Sequence, residues 1–162
     1  VEVHAEASVV VPRPLGDVFD FAVAPESQPL LLQASPPIPG VTSIEMLDGA
    51  VLETGARRRV QLSDGSTLRE EVIALDRPRR HAYRWLDRPA FPLDWLVRSA
   101  IGDWTFSGDE SRTRVDWSYT FTLTSPLAWP LASAVAWLFQ RWMQQSLERI
   151  ASAMPPAAAA RA

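Results

Sequence analysis

Cysteine and lysine are both missing from this chain of 162 residues, so all sixteen of its basic side chains are arginine. The first absence excludes disulfides, thiolate nucleophiles and thiolate metal sites. The second excludes Schiff-base chemistry on a lysine. Histidine is scarce, with only His4 and His81, and nothing in their spacing or in that of the carboxylates suggests convergence on a metal. No metal site and no cofactor is therefore expected. A Gly-rich phosphate loop and a nucleophile-elbow motif are lacking, which removes nucleotide hydrolysis and a serine triad from the leading readings. The paired acids Glu70-Glu71 and Asp109-Glu110 are sequence neighbours, which on a strand point to opposite faces. No catalytic constellation is evident. Arginines and acids interleave to a net charge of -3, with no basic stripe for a phosphate backbone, so nucleic acid is not an expected partner. The opening residues alternate polar with apolar instead of forming an apolar leader, and the expected location is cytoplasmic. The richest apolar segment, 127–139, is well short of the ~20 residues that cross a bilayer, so no transmembrane segment is expected.

What is present is globular: 47% hydrophobic residues beside 22% charged, with 14 prolines. Residues 2–11 alternate and then become β-branched, the mark of a half-buried strand. Pro12 and Pro14 stop it, and short amphipathic helices follow through residue 22 and over 25–32. Ser35-Pro36-Pro37-Ile38-Pro39-Gly40 is a rigid connector, because prolines lack donors and restrict their predecessors. Six further strands are predicted at 41–47, 56–62, 67–75, 81–86, 101–106 and 113–123, with Asp48-Gly49 and Asp64-Gly65 as tight turns between them. The period then becomes helical over 126–154, with Leu131, Val135, Leu138 or Phe139, Trp142, Ser146 and Ile150 on one stripe and Pro130 able to split off a first turn. Strand count and order, with the long helix last, predict an α+β domain over 1–154 and a flexible tail over 155–162. A curved antiparallel sheet of about seven strands would wrap around the terminal helix, leaving an apolar hollow between them.

Several residues are candidates for the wall of that hollow. Tyr83, Trp85, Trp104, Trp117 and Tyr119 lie in strands expected to face it, and Trp142 lies on the helix stripe. Their rings could stack on a flat apolar ligand. If Asp64-Gly65 makes a two-residue loop, Leu62 opposes Thr67, Val60 opposes Arg69 and Arg58 opposes Glu71, placing Arg58, Arg69 and Glu71 on a face with Val60, Leu62, Ile73 and Leu75. There Arg58 and Glu71 could orient a carboxylate, phenol or carbonyl. A bulge would exchange them for Arg57, Arg59 and Glu70. His81 is read as a solvent-facing strand end, with a proton shuttle at the cavity rim as the alternative. The loop around Phe91 and Trp95 is apolar and is expected to close one mouth, as a ligand gate or as a structural plug. The segment 127–139 has more apolar surface than the sheet requires. Trp129 and Trp137 add to it, and burial under the small helices or dimerisation would cover it.

The chain resembles the SRPBCC superfamily, the helix-grip proteins that include START domains, the birch pollen allergen group and polyketide cyclases. The likeness is strongest to the bacterial polyketide cyclase/dehydrase-like branch. It is carried by Val11-Pro12-Arg13-Pro14-Leu15-Gly16-Asp17-Val18-Phe19-Asp20-Phe21, by Gly55-Ala56-Arg57-Arg58-Arg59-Val60 and by Leu75-Asp76-Arg77-Pro78-Arg79-Arg80. Trp104-Thr105-Phe106 and Thr113-Arg114-Val115-Asp116-Trp117 continue it. The resemblance implies a helix-grip fold around a cavity for a hydrophobic ligand such as a lipid, quinone or aromatic metabolite. It also admits an aromatase/cyclase-type enzyme, with Arg58 or Glu71 and Tyr83 positioning a polyketide, and a ligand-delivering interaction module that uses the Trp-rich terminal helix. A homodimer is the expected form if that helix self-associates.

Overall fold

Period-two alternation along the chain is realised as seven strands in one antiparallel sheet, in the computed structural model that describes residues 1–157. They are β1 (Glu2–Val11), β2 (Val41–Met46), β3 (Arg57–Leu62), β4 (Thr67–Asp76), β5 (Arg80–Trp85), β6 (Val97–Gly108) and β7 (Thr113–Leu123). Their spatial order is β1-β7-β6-β5-β4-β3-β2, so the first two strands of the chain form the two edges. Between those edge strands run α1 (Leu15–Val23) and α2 (Gln28–Leu31), and the chain ends in α3 (Trp129–Glu148) and α4 (Ile150–Ala153). This is the helix-grip fold. Of the expected tail, residues 158–162 lie outside the described part, while Pro155 accepts a bond from the Arg13 guanidinium at 2.8 Å.

Helix α3 is held by its sequence at both ends. Pro130 sits in its first turn, where no backbone donor is needed, and so starts the helix without kinking it. Along its length, two glutamines act as a substitute strand for the exposed edge of β1. Gln140 Oε1 accepts from Glu6 N, while Gln144 accepts from Ser8 N and donates to Ser8 O. Those bonds occupy edge groups that would otherwise invite another chain. Near the helix end, Trp142 Nε1 donates to Gln33 O at 2.7 Å and Arg149 to Leu31 O at 3.0 Å, tying α3 to the segment around α2. Phe19 of α1 meets Phe106 of β6 edge-on at 5.0 Å, which anchors the other small helix to the sheet.

Four expectations from the sequence change. The second small helix shrinks to four residues, and β6 starts at Val97 instead of residue 101. The β3–β4 hairpin shifts by one residue, pairing Arg58 with Glu70 and Gln61 with Thr67. The cause is local: Asp64 Oδ1 accepts from the Ser66 amide and hydroxyl, and Gly65 takes a left-handed φ of 88°. The loop thereby holds three residues, Ser63 to Gly65, with Leu62 N bonded to Ser66 O. Finally, the extra apolar face of the segment 127–139 is not covered by the small helices. Leu127, Trp129, Leu131 and Trp137 are 91%, 52%, 59% and 57% exposed.

Candidate functional site

Because α3 packs mainly along β1 and β7, the far half of the sheet is left with a hollow of about 510 Å³ on its helix side. Its wall is mostly hydrocarbon and aromatic ring. From the strands come Val60, Leu68, Tyr83, Trp85, Tyr119 and Phe121; from α3 come Ala132, Val135, Ala136, Phe139 and Trp142. Small residues on the helix leave the volume, and Phe139 marks one boundary by standing edge-on to Tyr119 and Phe121 at 4.9 and 5.1 Å. Gly102 is needed for this arrangement: a Cβ there would lie 2.5 Å from Tyr83 Cζ, so glycine lets the phenol ring lie across β6.

One ion pair is set into this apolar wall. Arg58 Nε and Nη2 both reach Glu70 Oε2 at 2.8 Å, and the two side chains are 2% and 7% exposed. The Arg58 guanidinium also lies 4.9 Å from the centre of the Tyr83 ring. Burial raises the Glu70 carboxyl above its ordinary 4.5, outweighing the attraction of Arg58. Burial also pushes the Tyr83 phenol up to about 12 and that of Tyr119 well above 10. At neutral pH both phenols keep their protons. They can donate hydrogen bonds but do not serve as bases.

Of the residues singled out in the sequence, Arg58, Tyr83, Trp85, Trp117, Tyr119 and Trp142 share the cavity wall, and Phe91 and Trp95 stand at its mouth. These last two rings meet edge-on at 5.3 Å and are 70% and 71% exposed. Two other expectations are corrected. Glu71 points away from the cavity, because the three-residue loop turns it to the opposite face, where it pairs with Arg57 and Arg84. Trp104 is fully buried beneath the wall, 4.5 Å from the Trp117 ring, and fills core. Glu70, Phe121 and Phe139 also belong to the wall. Phe121 shares the period-two face of Trp117 and Tyr119, and Phe139 is one of the two residues that fit one position of the helix stripe, whereas Glu70 depends on register.

His81 also departs from expectation. It is 1% exposed, not solvent-facing, because period two puts it on the same face as Tyr83 and directly opposite Trp104 on β6. Neither ring nitrogen has a protein partner. Burial, reinforced by the nearby Arg58 charge, holds the imidazole well below its ordinary 6.5. The sign follows from proton counting: as pH falls through 6.5 the unfolded chain takes up a proton that the folded one refuses, so stability declines. His81→Phe keeps a ring in the site and removes this linkage. Its Tm advantage over the parent is expected to widen from about pH 8 to about pH 5, as read by thermal unfolding.

On the outer face, arginines meet acids in surface pairs such as Arg80–Asp103, Arg69–Asp87 and Arg114–Asp116. Such exposed pairs contribute little stability each. Among the described residues, no group of three or more His, Asp or Glu side chains could hold a metal ion, and no helix is long and apolar enough to cross a membrane.

A sheet wrapped on a terminal helix, with an apolar hollow between them, is what the comparison with known families bears on. The model of the family described as "Polyketide cyclase / dehydrase and lipid transport" matches residues 2–155. The chain belongs to this family. No curated protein matches it. Among solved structures, the family member described here is similar to XoxI from Bacillus cereus, with a TM-score of 0.70 at 18% identity over 94% of this chain and 95% of that one. It is similar to Ara h 8.0201, with a TM-score of 0.66 at 18% identity over 94% of this chain and 99% of the other. The di-domain ARO/CYC BexL from the BE-7585A biosynthetic pathway aligns at 18% identity and a TM-score of 0.64, over 97% of this chain and 51% of BexL. At these identities the likeness establishes a shared fold, and the chemistry has to be argued from the cavity.

Proposed function

We propose that this protein binds an uncharged or weakly polar hydrophobic small molecule, such as a lipid, quinone or aromatic metabolite, and carries or sequesters it. The observation that supports this reading is the hollow of about 510 Å³ lined by aromatic and aliphatic side chains. That volume falls in the range of small-molecule sites, and an apolar space of this size gains free energy when an apolar guest leaves water for it. Entry would occur past Phe91 and Trp95, which rim the mouth on a loop with a 3-10 turn at Leu93–Trp95.

The test is a titration with the neutral dye N-phenyl-1-naphthylamine, whose emission rises in apolar surroundings, together with native mass spectrometry of gently purified protein. Saturable dye binding at one site per chain, or a co-purified apolar molecule, is the expected result. A flat titration with no retained molecule removes the reading. A cyclase-type enzyme is the second reading, favoured by the buried Arg58–Glu70 pair beside the protonated Tyr83. Turnover of a polyketide surrogate that is unchanged in an Arg58→Lys variant and a Tyr83→Phe variant would remove it.

A further inference from the structure

The Arg58–Glu70 pair is met unevenly. Arg58 Nε and Nη2 both lie 2.8 Å from Glu70 Oε2, and the other carboxylate oxygen, Oε1, has no donor among the described residues. Two polar atoms of the same wall, Arg58 Nη1 and Trp117 Nε1, also lack partners, but both are sealed within the protein and out of reach of a guest. Glu70 Oε1 is not among the sealed atoms. The Glu70 side chain keeps 7% of its surface and lines the hollow, so the open oxygen faces the space where a ligand would lie. A carboxylate oxygen that borders apolar space without a donor is costly, and such groups are paired in folded proteins.

Strand register sets what surrounds that oxygen. Glu70 stands directly opposite Arg58 on β3 and Trp85 on β5, and Leu68, two residues earlier on the same face of β4, stands opposite Val60. Trp85, Leu68 and Val60 all line the hollow. They surround the acceptor with ring and hydrocarbon. The Tyr83 phenol is bonded instead to the Trp104 indole N–H, at 3.5 Å. A donor for Oε1 therefore has to come from the guest.

Charge decides which donor. The two guanidinium contacts favour the ionised carboxyl, which can only accept. A carbonyl, an ether or a plain hydrocarbon brings no proton to it. A carboxylate or phosphate would set a second negative charge against it, and an ammonium would put a second cation beside Arg58 in an apolar wall. A hydroxyl supplies one donor to one acceptor and adds no charge. Hydrogen bonds from O–H to a carboxylate are among the short, strong ones.

We infer that the ligand is an uncharged phenol or alcohol whose hydroxyl donates a hydrogen bond to Glu70 Oε1, with its apolar body against Val60, Leu68 and Trp85. The inference rests on the cavity-binding reading and narrows it from hydrophobic molecules in general to those with a free hydroxyl.

A matched probe set isolates the proton: 2-naphthol, 2-methoxynaphthalene, which keeps the oxygen and loses the proton, and 2-naphthoate. Each displaces N-phenyl-1-naphthylamine, whose own affinity is measured in every protein. Two variants report on the acceptor. In Glu70→Gln the carboxamide oxygen takes over the contact with Arg58 and its NH2 faces the hollow, a donor in place of an acceptor. Arg58→Met with Glu70→Leu removes the ion pair as a unit. Because the methyl ether is the more hydrophobic probe, the comparison is made between proteins. The naphthol-to-ether affinity ratio is expected to fall about tenfold from the parent to either variant, the size of one good polar contact, while the dye still binds.

An unchanged ratio in a folded variant overturns the inference. So does 2-naphthoate binding the parent protein as tightly as 2-naphthol. Failure of the dye to bind the parent protein sinks the cavity reading itself, and the hydroxyl assignment falls with it. Those outcomes are distinct in the same titration.

Discussion

Arg58→Leu is expected to lower folding stability by about 3–5 kcal/mol at neutral pH, because it leaves Glu70 as an unpaired charge in an apolar wall. The pair is 2% and 7% exposed, so water offers little compensation. The carboxyl would respond by holding a proton. Even with Arg58 present, burial already keeps Glu70 above its ordinary 4.5. A raised carboxyl means that the folded state binds more protons than the unfolded one as pH rises from 4.5 through the folded value. Stability is therefore full below that window and falls across it. In Arg58→Leu the fall extends to higher pH, since no cation opposes it. Urea unfolding over a pH series measures both effects. Arg58→Met with Glu70→Leu should recover most of the loss, because replacing a buried ion pair as a unit is often neutral. Equal stability of parent and single variant at neutral pH would mean that Glu70 is solvated in the native state.

Ala136→Phe tests the cavity from the helix side. Ala136 is 5% exposed and lines the hollow one turn before Phe139, so a phenyl ring added there projects into space now unfilled. Dye affinity is expected to drop by more than about tenfold, since the added ring and the guest compete for the same volume. The fold should change by about 1 kcal/mol or less, in contrast with the 1–3 kcal/mol cost of inserting bulk into a filled core. Leu127→Ser is the control, because Leu127 is 91% exposed and should leave dye binding and stability alike. A large loss of stability in Ala136→Phe would show that the hollow closes in solution. Unchanged dye binding would put the guest elsewhere.

The split between what was legible and what was not runs along identifiable residues. The seven strands, their antiparallel order and the terminal helix could be read because period-two and period-3.6 patterns are local properties of the chain. Trp117 and Tyr119 show their face by the alternation of β7, which extends to Phe121, and Trp142 lies on the stripe of α3, where Leu138 and Phe139 compete for one position. Glu70 and Glu71 were not separable in this way. They are adjacent in sequence and chemically identical, and the choice between them turned on one hydrogen-bonded loop, where Asp64 binds Ser66. His81 was misjudged for a related reason. As a polar residue at a strand start it looked wet, yet the face it occupies is closed by Tyr83 and Trp104 from its own and the neighbouring strand.

The amino-acid sequence by itself determined the order of elements, the apolar face of each and the exclusion of thiol and lysine chemistry, since all of these depend on residue type and short-range spacing. Only the tertiary structure decided that Arg58 meets Glu70, that Glu71 takes the opposite face of the sheet, and that Leu127, Trp129, Leu131 and Trp137 stay exposed. The hollow itself belongs to this second group. Its volume depends on how far a helix from one end of the chain stands from strands in the middle, and that separation comes from packing between distant segments, which no local pattern encodes.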